Sequence, residues 1–356
     1  MPEMEFQRRG ARSHTYAPLD VSLPVTAPVK HVWAALLVVY VVWGSTYLGI
    51  KVVVETMPPL LSAGGRFLVA AALLAAILAV RRTSLRVSRS ELAGASLVGF
   101  MLLTIGVGVV HIAETRIDSS VAAMIVGTVP LQIIVMRTLS GESPARSTQL
   151  STLAGLAGLI LVVAPGLGDG SAALGLAIMI GATMSWSTGS FVSRRLTLPR
   201  NPFVAAVYEM GAGGVFLLVG ALALGELSGL DASAFSASSL LAWVYLVIFG
   251  SLIGFTAYAW LLRVAPISLV VTHQYVNPLV AIALGMLLLG ERPGPLTLAG
   301  AALVIGAVYV AVRAESPTRR RDRTAPGTPV SAESVAPTTV RPATAVTPGT
   351  PAGRTA

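Results

Sequence analysis

Apolar residues in this chain come in long blocks separated by short polar connections. From Trp33 onward ten such blocks follow one another, at about 33–52, 60–80, 92–112, 119–138, 150–166, 172–193, 203–224, 239–262, 268–289 and 296–312. Crossing a bilayer core takes about 20 apolar residues at roughly 1.5 Å of rise each. Lipid offers no hydrogen-bond partners to bare backbone, so apolar blocks of this length fold as helices. The pattern predicts an all-α membrane protein with ten transmembrane helices. Residues 1–32 and 314–356 are polar and contain proline, with too little apolar surface to bury, and are expected to be disordered tails. The first of these also lacks the order of a signal peptide, a short charged region followed at once by a brief apolar core.

The blocks repeat. Trp43–Arg66 aligns without a gap on Trp186–Glu209, setting Trp43 on Trp186, Ser45 on Thr188, Lys51 on Arg194, Pro59 on Pro202 and Arg66 on Glu209. Ser120–Pro130 aligns on Ser268–Pro278, Gly141-Glu142-Ser143-Pro144 on Gly290-Glu291-Arg292-Pro293, and Thr152–Gly155 on Thr297–Gly300. Two repeats are therefore predicted, 33–166 and 172–313, each of five helices. An odd number of crossings sends the second repeat into the membrane upside down relative to the first, which is a transporter architecture with its site near the midplane.

Composition narrows the class further. Apolar residues make up 54% of the chain and charged ones 12%, and cysteine is absent, which removes disulfides, thiolate metal sites and a cysteine nucleophile. The net charge of +9 is carried by residues between the apolar blocks and in the tails, a pattern that suggests membrane orientation and not a nucleic-acid surface. One alternate set of loops holds Arg81, Arg82, Arg86 and Arg89, then Arg137 and Arg146, then Arg194, Arg195 and Arg200, then Arg263 and Arg313. The other set has only Lys51, Arg116 and Arg292 among Glu55, Glu114, Asp118, Asp169, Glu226, Asp231 and Glu291. Arginine-rich loops stay in the cytoplasm, so both termini are expected there.

Polar residues inside the blocks mark the candidate site, since an arginine at mid-span costs roughly 2.5–3.5 kcal/mol without a partner or a wet cavity. Arg66 and Glu209 hold equivalent repeat positions. They read either as the two poles of a zwitterion site, or as a structural ion pair, with a third option of Arg66 reaching to the interface. Helix 1 carries Trp43, Ser45, Thr46 and Tyr47, and helix 6 carries Trp186 and Thr188 at the matched place. These can contact substrate or serve helix packing. In helix 9, His273 and Asn277 lie four apart on one face beside Gln274, and Pro278 removes a backbone donor. Helix 4 repeats the break at Pro130, with Gln132 close by. His111 and Glu114 share a face near the end of helix 3. With Glu209 and His273 they are the candidates for proton coupling, an interfacial cap being the alternative for the first two. No metal site is indicated.

At these residues the chain resembles the EamA-type drug/metabolite transporters. The likeness is carried by WGSTYLGIK at Trp43–Lys51, PPLLSAGGRF at Pro58–Phe67, Ala113-Glu114, TVPL at Thr128–Leu131 and YVNPLVAIALGMLLLGE at Tyr275–Glu291. It covers about 33–313. His273 departs from the family pattern, which has a tyrosine or small residue there. The resemblance implies ten spans in two five-span repeats. It further implies a multi-pass protein of the bacterial cytoplasmic membrane that exports a small organic metabolite, amino-acid-like or drug-like, by alternating access, with no cofactor.

Other chemistry fits less well. Gly166-Leu167-Gly168-Asp169 spells the GxGD of intramembrane aspartyl proteases, but Asp169 falls in a turn and no second membrane-embedded aspartate exists to share a proton with it. No Walker motif suggests a pump. The expected partners are a small-molecule substrate and the lipid bilayer, with the oligomeric state open between monomer and homodimer. The competing reading is a membrane scaffold or sensor that keeps the fold without transport.

Overall fold

The computed structural model of the chain describes residues 28–141, 144–193, 195–265, 270 and 272–315. Every regular element among them is helical. We number ten helices in chain order: α1 Val29–Val53, α2 Pro59–Val80, α3 Arg89–Ala113, α4 Ser119–Leu139, α5 Arg146–Val163, α6 Gly170–Ser193 and α7 Pro202–Ala223. The eighth, α8, runs through Ala237–Tyr245, Leu246–Ile253 and Gly254–Val264, followed by α9 His273–Leu288 and α10 Pro295–Glu315. Each predicted span has its helix, displaced by a few residues at most ends. Residues 29–32 and 314–315 of the expected tails are helical, as parts of α1 and α10. The remainder of both tails lies outside the described residues, as do Glu142, Ser143 and Arg194 of the repeat alignment.

Local chemistry sets the ends. Proline opens α2 and α7, where the missing N–H costs nothing because the first turn has no acceptor for it. Ser88 and Glu91 form a reciprocal capping box at the start of α3. Two glutamates from distant chain segments cap helices across the bundle. Glu226 accepts from the Leu60 and Leu61 amides at 3.1 and 2.8 Å. Glu291 accepts from the Ser119 amide at 2.8 Å, the Ser119 hydroxyl at 2.7 Å and the Ser120 amide at 3.0 Å. A carboxylate at a helix N-terminus satisfies orphan donors and meets the positive end of the dipole. The motif glutamate of the second repeat thereby holds down the fourth helix of the first.

Outward faces are apolar. Leu150, Leu153 and Ile160 of α5, Val215, Val219 and Leu222 of α7, and Leu287 and Leu288 of α9 are all exposed. In water such a surface would be a liability; in lipid it is the matching solvent.

The packing maps onto itself when the repeats are exchanged. α1 packs on α8 and α9, and α6 packs on α3 and α4; α2 pairs with α7, α4 with α9, and α5 with α10. Advancing every label in the first set by five helices returns the second. This is the contact pattern of two inverted five-helix repeats. α4 is broken at Gly127-Thr128 ahead of Pro130, and a Cβ on Gly127 would come within 3.0 Å of the Pro278 ring, so the two proline-containing helices cross at their equivalent points.

Sequence periodicity gave no hint of one feature. The middle of α3, Gly99–Gly108, and of α8, Leu246–Ile253, is π-helical. A glycine in the first segment and one just after the second lie against a tryptophan of the opposite repeat: Gly106 against Trp186 and Gly254 against Trp43. A side chain at either glycine would occupy the space of the indole.

Candidate functional site

Where the two repeats meet, a cavity of about 110 Å³ lies among α1, α2, α3, α4, α6, α8 and α9. Among the described residues, none of α5 or α10 lines it. Its polar lining consists of Thr46 and Tyr47 of α1, Arg66 of α2, Thr183 of α6, and His273 and Asn277 of α9, with Trp43 and Trp186 as flat walls. Phe67, Val107, Val110, Val126, Val129 and Phe255 complete an apolar surround. An apolar chamber with a few convergent polar groups is the usual form of a small-molecule site.

Arg66 is the dominant charge. It is 3% exposed and its Nε donates to Ser251 Oγ at 2.9 Å. Gly250 lies beside the guanidinium, where a Cβ would approach Nη2 to 3.0 Å. Nη1 is buried with no hydrogen-bond partner. A buried guanidinium with a free donor is costly unless something accepts from it, and a carboxylate suits its fork geometry.

An aromatic group stands on another side of the cavity. Trp43 Nε1 donates to the Gly250 carbonyl at 3.2 Å, and its ring lies 5.5 Å from Phe255, 5.1 Å from Tyr258 and 5.3 Å from His273, centroid to centroid. His273 Nδ1 is 2.9 Å from the Val270 carbonyl, which can only accept, so the proton is assigned to Nδ1 and Nε2 is left as an acceptor. The Asn277 amide, oriented by its surroundings, donates to the carbonyls of Tyr40 and His273, both at 3.2 Å. It thus supports the backbone that Pro278 loosens.

Of the residues singled out in sequence, Trp43, Thr46, Tyr47, Arg66, Trp186, His273 and Asn277 line the cavity. Others stand behind it. Gln132 donates to Thr183 Oγ1 at 2.9 Å and accepts from Ser187 Oγ at 2.8 Å, tying the broken α4 to the α6 wall. Ser45 bonds the Tyr245 hydroxyl at 2.5 Å and the Val42 carbonyl. Thr188 donates to its own helix at Met184. The Gln274 side chain lies outside the described residues.

Of the readings open for Arg66 and Glu209, the ion pair does not form: the two are not partnered. Arg66 points at α8, and Glu209 is half-buried outside the cavity lining, its carbonyl against Gly99 of the π-helical turn. The repeat alignment placed them at equivalent positions, and equivalence under a two-fold axis does not require contact. His111 and Glu114 also lie off the cavity. His111 Nδ1 is 3.3 Å from the Val107 carbonyl, and Glu114 is fully buried beside Lys51. Asp169 accepts from the Ser171 amide at 2.8 Å in an exposed turn before α6.

Sequence reading missed Gly106, Thr183, Gly250, Phe255 and the Arg66 anchor Ser251. A glycine or a serine in an apolar helix carries no chemical signature. Gly106, Gly250 and Ser251 all lie in the π-helical turns.

Comparison with known proteins agrees with this architecture. The chain is 40% identical to an uncharacterized inner membrane transporter, YedA, of Escherichia coli K12, over 73% of this chain and 83% of that one. It is 29% identical to a probable amino-acid metabolite efflux pump of Salmonella typhimurium, over 80% and 95% of the two chains. It is also 25% identical to a probable terminal-alkyne amino-acid exporter of Streptantibioticus cattleyicolor, over 84% and 98%. A solved crystal structure at 20% identity superposes with a TM-score of 0.56 over 81% of this chain and 99% of its own, a likeness of fold. Residues 31–164 and 173–313 each match the model of one family. The chain belongs to the EamA-like transporter family.

Proposed function

We propose that this membrane transporter exports a small organic compound carrying a carboxylate, an amino-acid-like metabolite or a drug-like acid, by alternating access through the central cavity. One observation carries the reading: Arg66, buried and with Nη1 unpartnered, borders a chamber walled by both repeats. The carboxylate of a substrate would take the free donor. His273 Nε2 and the aromatic faces of Trp43 and Tyr47 would receive an amine or an apolar group. A cavity of about 110 Å³ suits a small ligand, below the usual range for drug-sized ones.

The names of two relatives, an amino-acid metabolite efflux pump and an amino-acid exporter, support the same substrate class. The name of a third, an inner membrane transporter, supports the cytoplasmic membrane as the location. The loop arginines support cytoplasmic termini, and 33–166 and 172–313 serve as the two rocking halves.

Counterflow in proteoliposomes tests the proposal. Vesicles loaded with an unlabelled amino acid should accumulate the labelled form faster than protein-free vesicles, for at least one member of an L-amino-acid panel. The corresponding amines, lacking the carboxyl, should not accumulate. Absence of flux for every acid would favour the scaffold reading.

A further inference from the structure

Away from the cavity, the C-terminal end of α3 holds a carboxylate that the binding site does not use. Glu114 is 0% exposed and neither of its carboxylate oxygens has a hydrogen-bond partner. The obvious counter-ion is otherwise engaged. Lys51 Nζ of α1 donates at 2.8 Å to the Glu114 carbonyl and at 2.8 Å to the Ile117 carbonyl. The Glu114 carbonyl stands at the negative end of the α3 dipole, where a cation belongs, and the Ile117 carbonyl lies in the connection to α4. Lys51 therefore fastens α1 to the end of α3 through backbone, and the acid beneath is left unpaired.

The other charged and titratable groups around Glu114 do not supply a positive charge at the carboxylate. Tyr47 faces it from α1, and Glu291, after α9, is committed to capping α4. Asp118, in the connection to α4, adds negative charge, and its own carboxyl is raised above the usual range by burial and by Glu291. Arg66 of α2 lies toward His111, one turn back along α3, and bonds Ser251 instead. From α6 the neighbours of this helix end are the apolar Leu176 and Met179. An ionised carboxylate in such a place would cost several kcal/mol, and the neutral acid avoids that cost.

We propose that Glu114 is a proton-binding site, and that closing the bundle at its Lys51 end places one proton on that carboxylate. The step is a simple association: a carboxylate and a proton from the water on that side form the neutral acid. When Lys51 leaves these two carbonyls, water enters, the ammonium can meet the carboxylate directly, and the proton departs. Falling pH on the Lys51 side therefore favours closure, by up to about tenfold in the equilibrium per pH unit for one proton. Val110, one turn before Glu114 on α3, lines the central cavity, so opening at this end bears directly on the site. The coupling to closure rests on the carrier reading; the proton site does not.

Infrared spectroscopy of the full chain in phosphatidylcholine bilayers reads the proton without any substrate. The native chain should show at neutral pH a protonated-carboxyl C=O band that Glu114→Gln lacks and that Glu114→Asp shifts. Identical spectra for all three overturn the proposal, and the aspartate variant decides the matter if the glutamine variant does not insert. Closure is read from a cysteine at Ile50, a buried cavity-lining neighbour of Lys51, in this cysteine-free chain. Its alkylation rate from the Lys51 side, divided by the rate of a free thiol at the same pH to remove the titration of the cysteine itself, should slow as pH falls, by up to about tenfold per unit, and become pH-independent with Glu114→Gln. A ratio that is flat with pH in the native background, or that keeps its slope in the glutamine variant, also overturns it. Neither readout requires transport, so failure here leaves the counterflow result standing, and the reverse holds.

Discussion

Arg66 Nε donates to Ser251 Oγ at 2.9 Å, and this one bond joins α2 of the first repeat to the π-helical turn of α8 in the second. It anchors the guanidinium of a cavity-lining residue whose Nη1 has no hydrogen-bond partner. Arg66→Gln removes the charge-assisted donor, worth about 1.5–3 kcal/mol, and should raise the half-saturation concentration of any carried acid by roughly ten- to a hundredfold. Arg66→Lys should behave nearly as badly, because an ammonium cannot serve Ser251 and a ligand with one planar fork. Initial counterflow rates against substrate concentration provide the check.

The tryptophan–glycine contacts decide the sign of two similar substitutions. A methyl on Gly254 would meet Trp43 Nε1, so Gly254→Ala should destabilise by about 1–3 kcal/mol through overpacking. A methyl on Gly181, in α6, would have nothing within 4 Å, and Gly181→Ala should be neutral or stabilising by up to about 1 kcal/mol, from helix propensity alone. Thermal unfolding in detergent distinguishes the two.

Much of this molecule was legible in its sequence because lipid imposes length and apolarity on every span. Repeat alignment made Trp43 and Trp186 stand out together, and their contacts prove equivalent as well. Pro130 marked α4, which is interrupted at Gly127-Thr128, whereas α9 runs unbroken over His273–Leu288 with Pro278 inside it. What could not be read was direction. Hydropathy locates Glu209 in a helix without saying which way it faces, and the π-helical turns of α3 and α8 shift the register that would have pointed Gly106 and Gly250 inward. Ser251 was hidden for the same reason.

The glutamate caps carry a stability prediction. Glu226→Ala leaves the Leu60 and Leu61 amides without their acceptor and should cost about 0.5–2 kcal/mol, the range for a lost N-cap. Glu291→Ala removes the acceptor of three bonds at α4 and should cost more. Midpoints of thermal unfolding should fall in that order.

Inverted repeats require the two matched loops to face opposite sides. Glu55, just before Pro59, and Arg200, just before Pro202, are exposed and suited to single-cysteine replacement. A membrane-impermeant maleimide applied to intact cells should label Glu55→Cys, and should reach Arg200→Cys only after the membrane is opened. Equal labelling of both in intact cells would reject the inverted arrangement.

Thr46 borders the central chamber, and a cysteine there reports on access to the site itself. With Thr46→Cys in oriented proteoliposomes, alkylation should be slow from either side of the membrane, and a carried amino acid should protect from both sides. Reaction from one side only under every condition, or no protection by any acid that the native chain carries, would refute a chamber that opens alternately to the two faces.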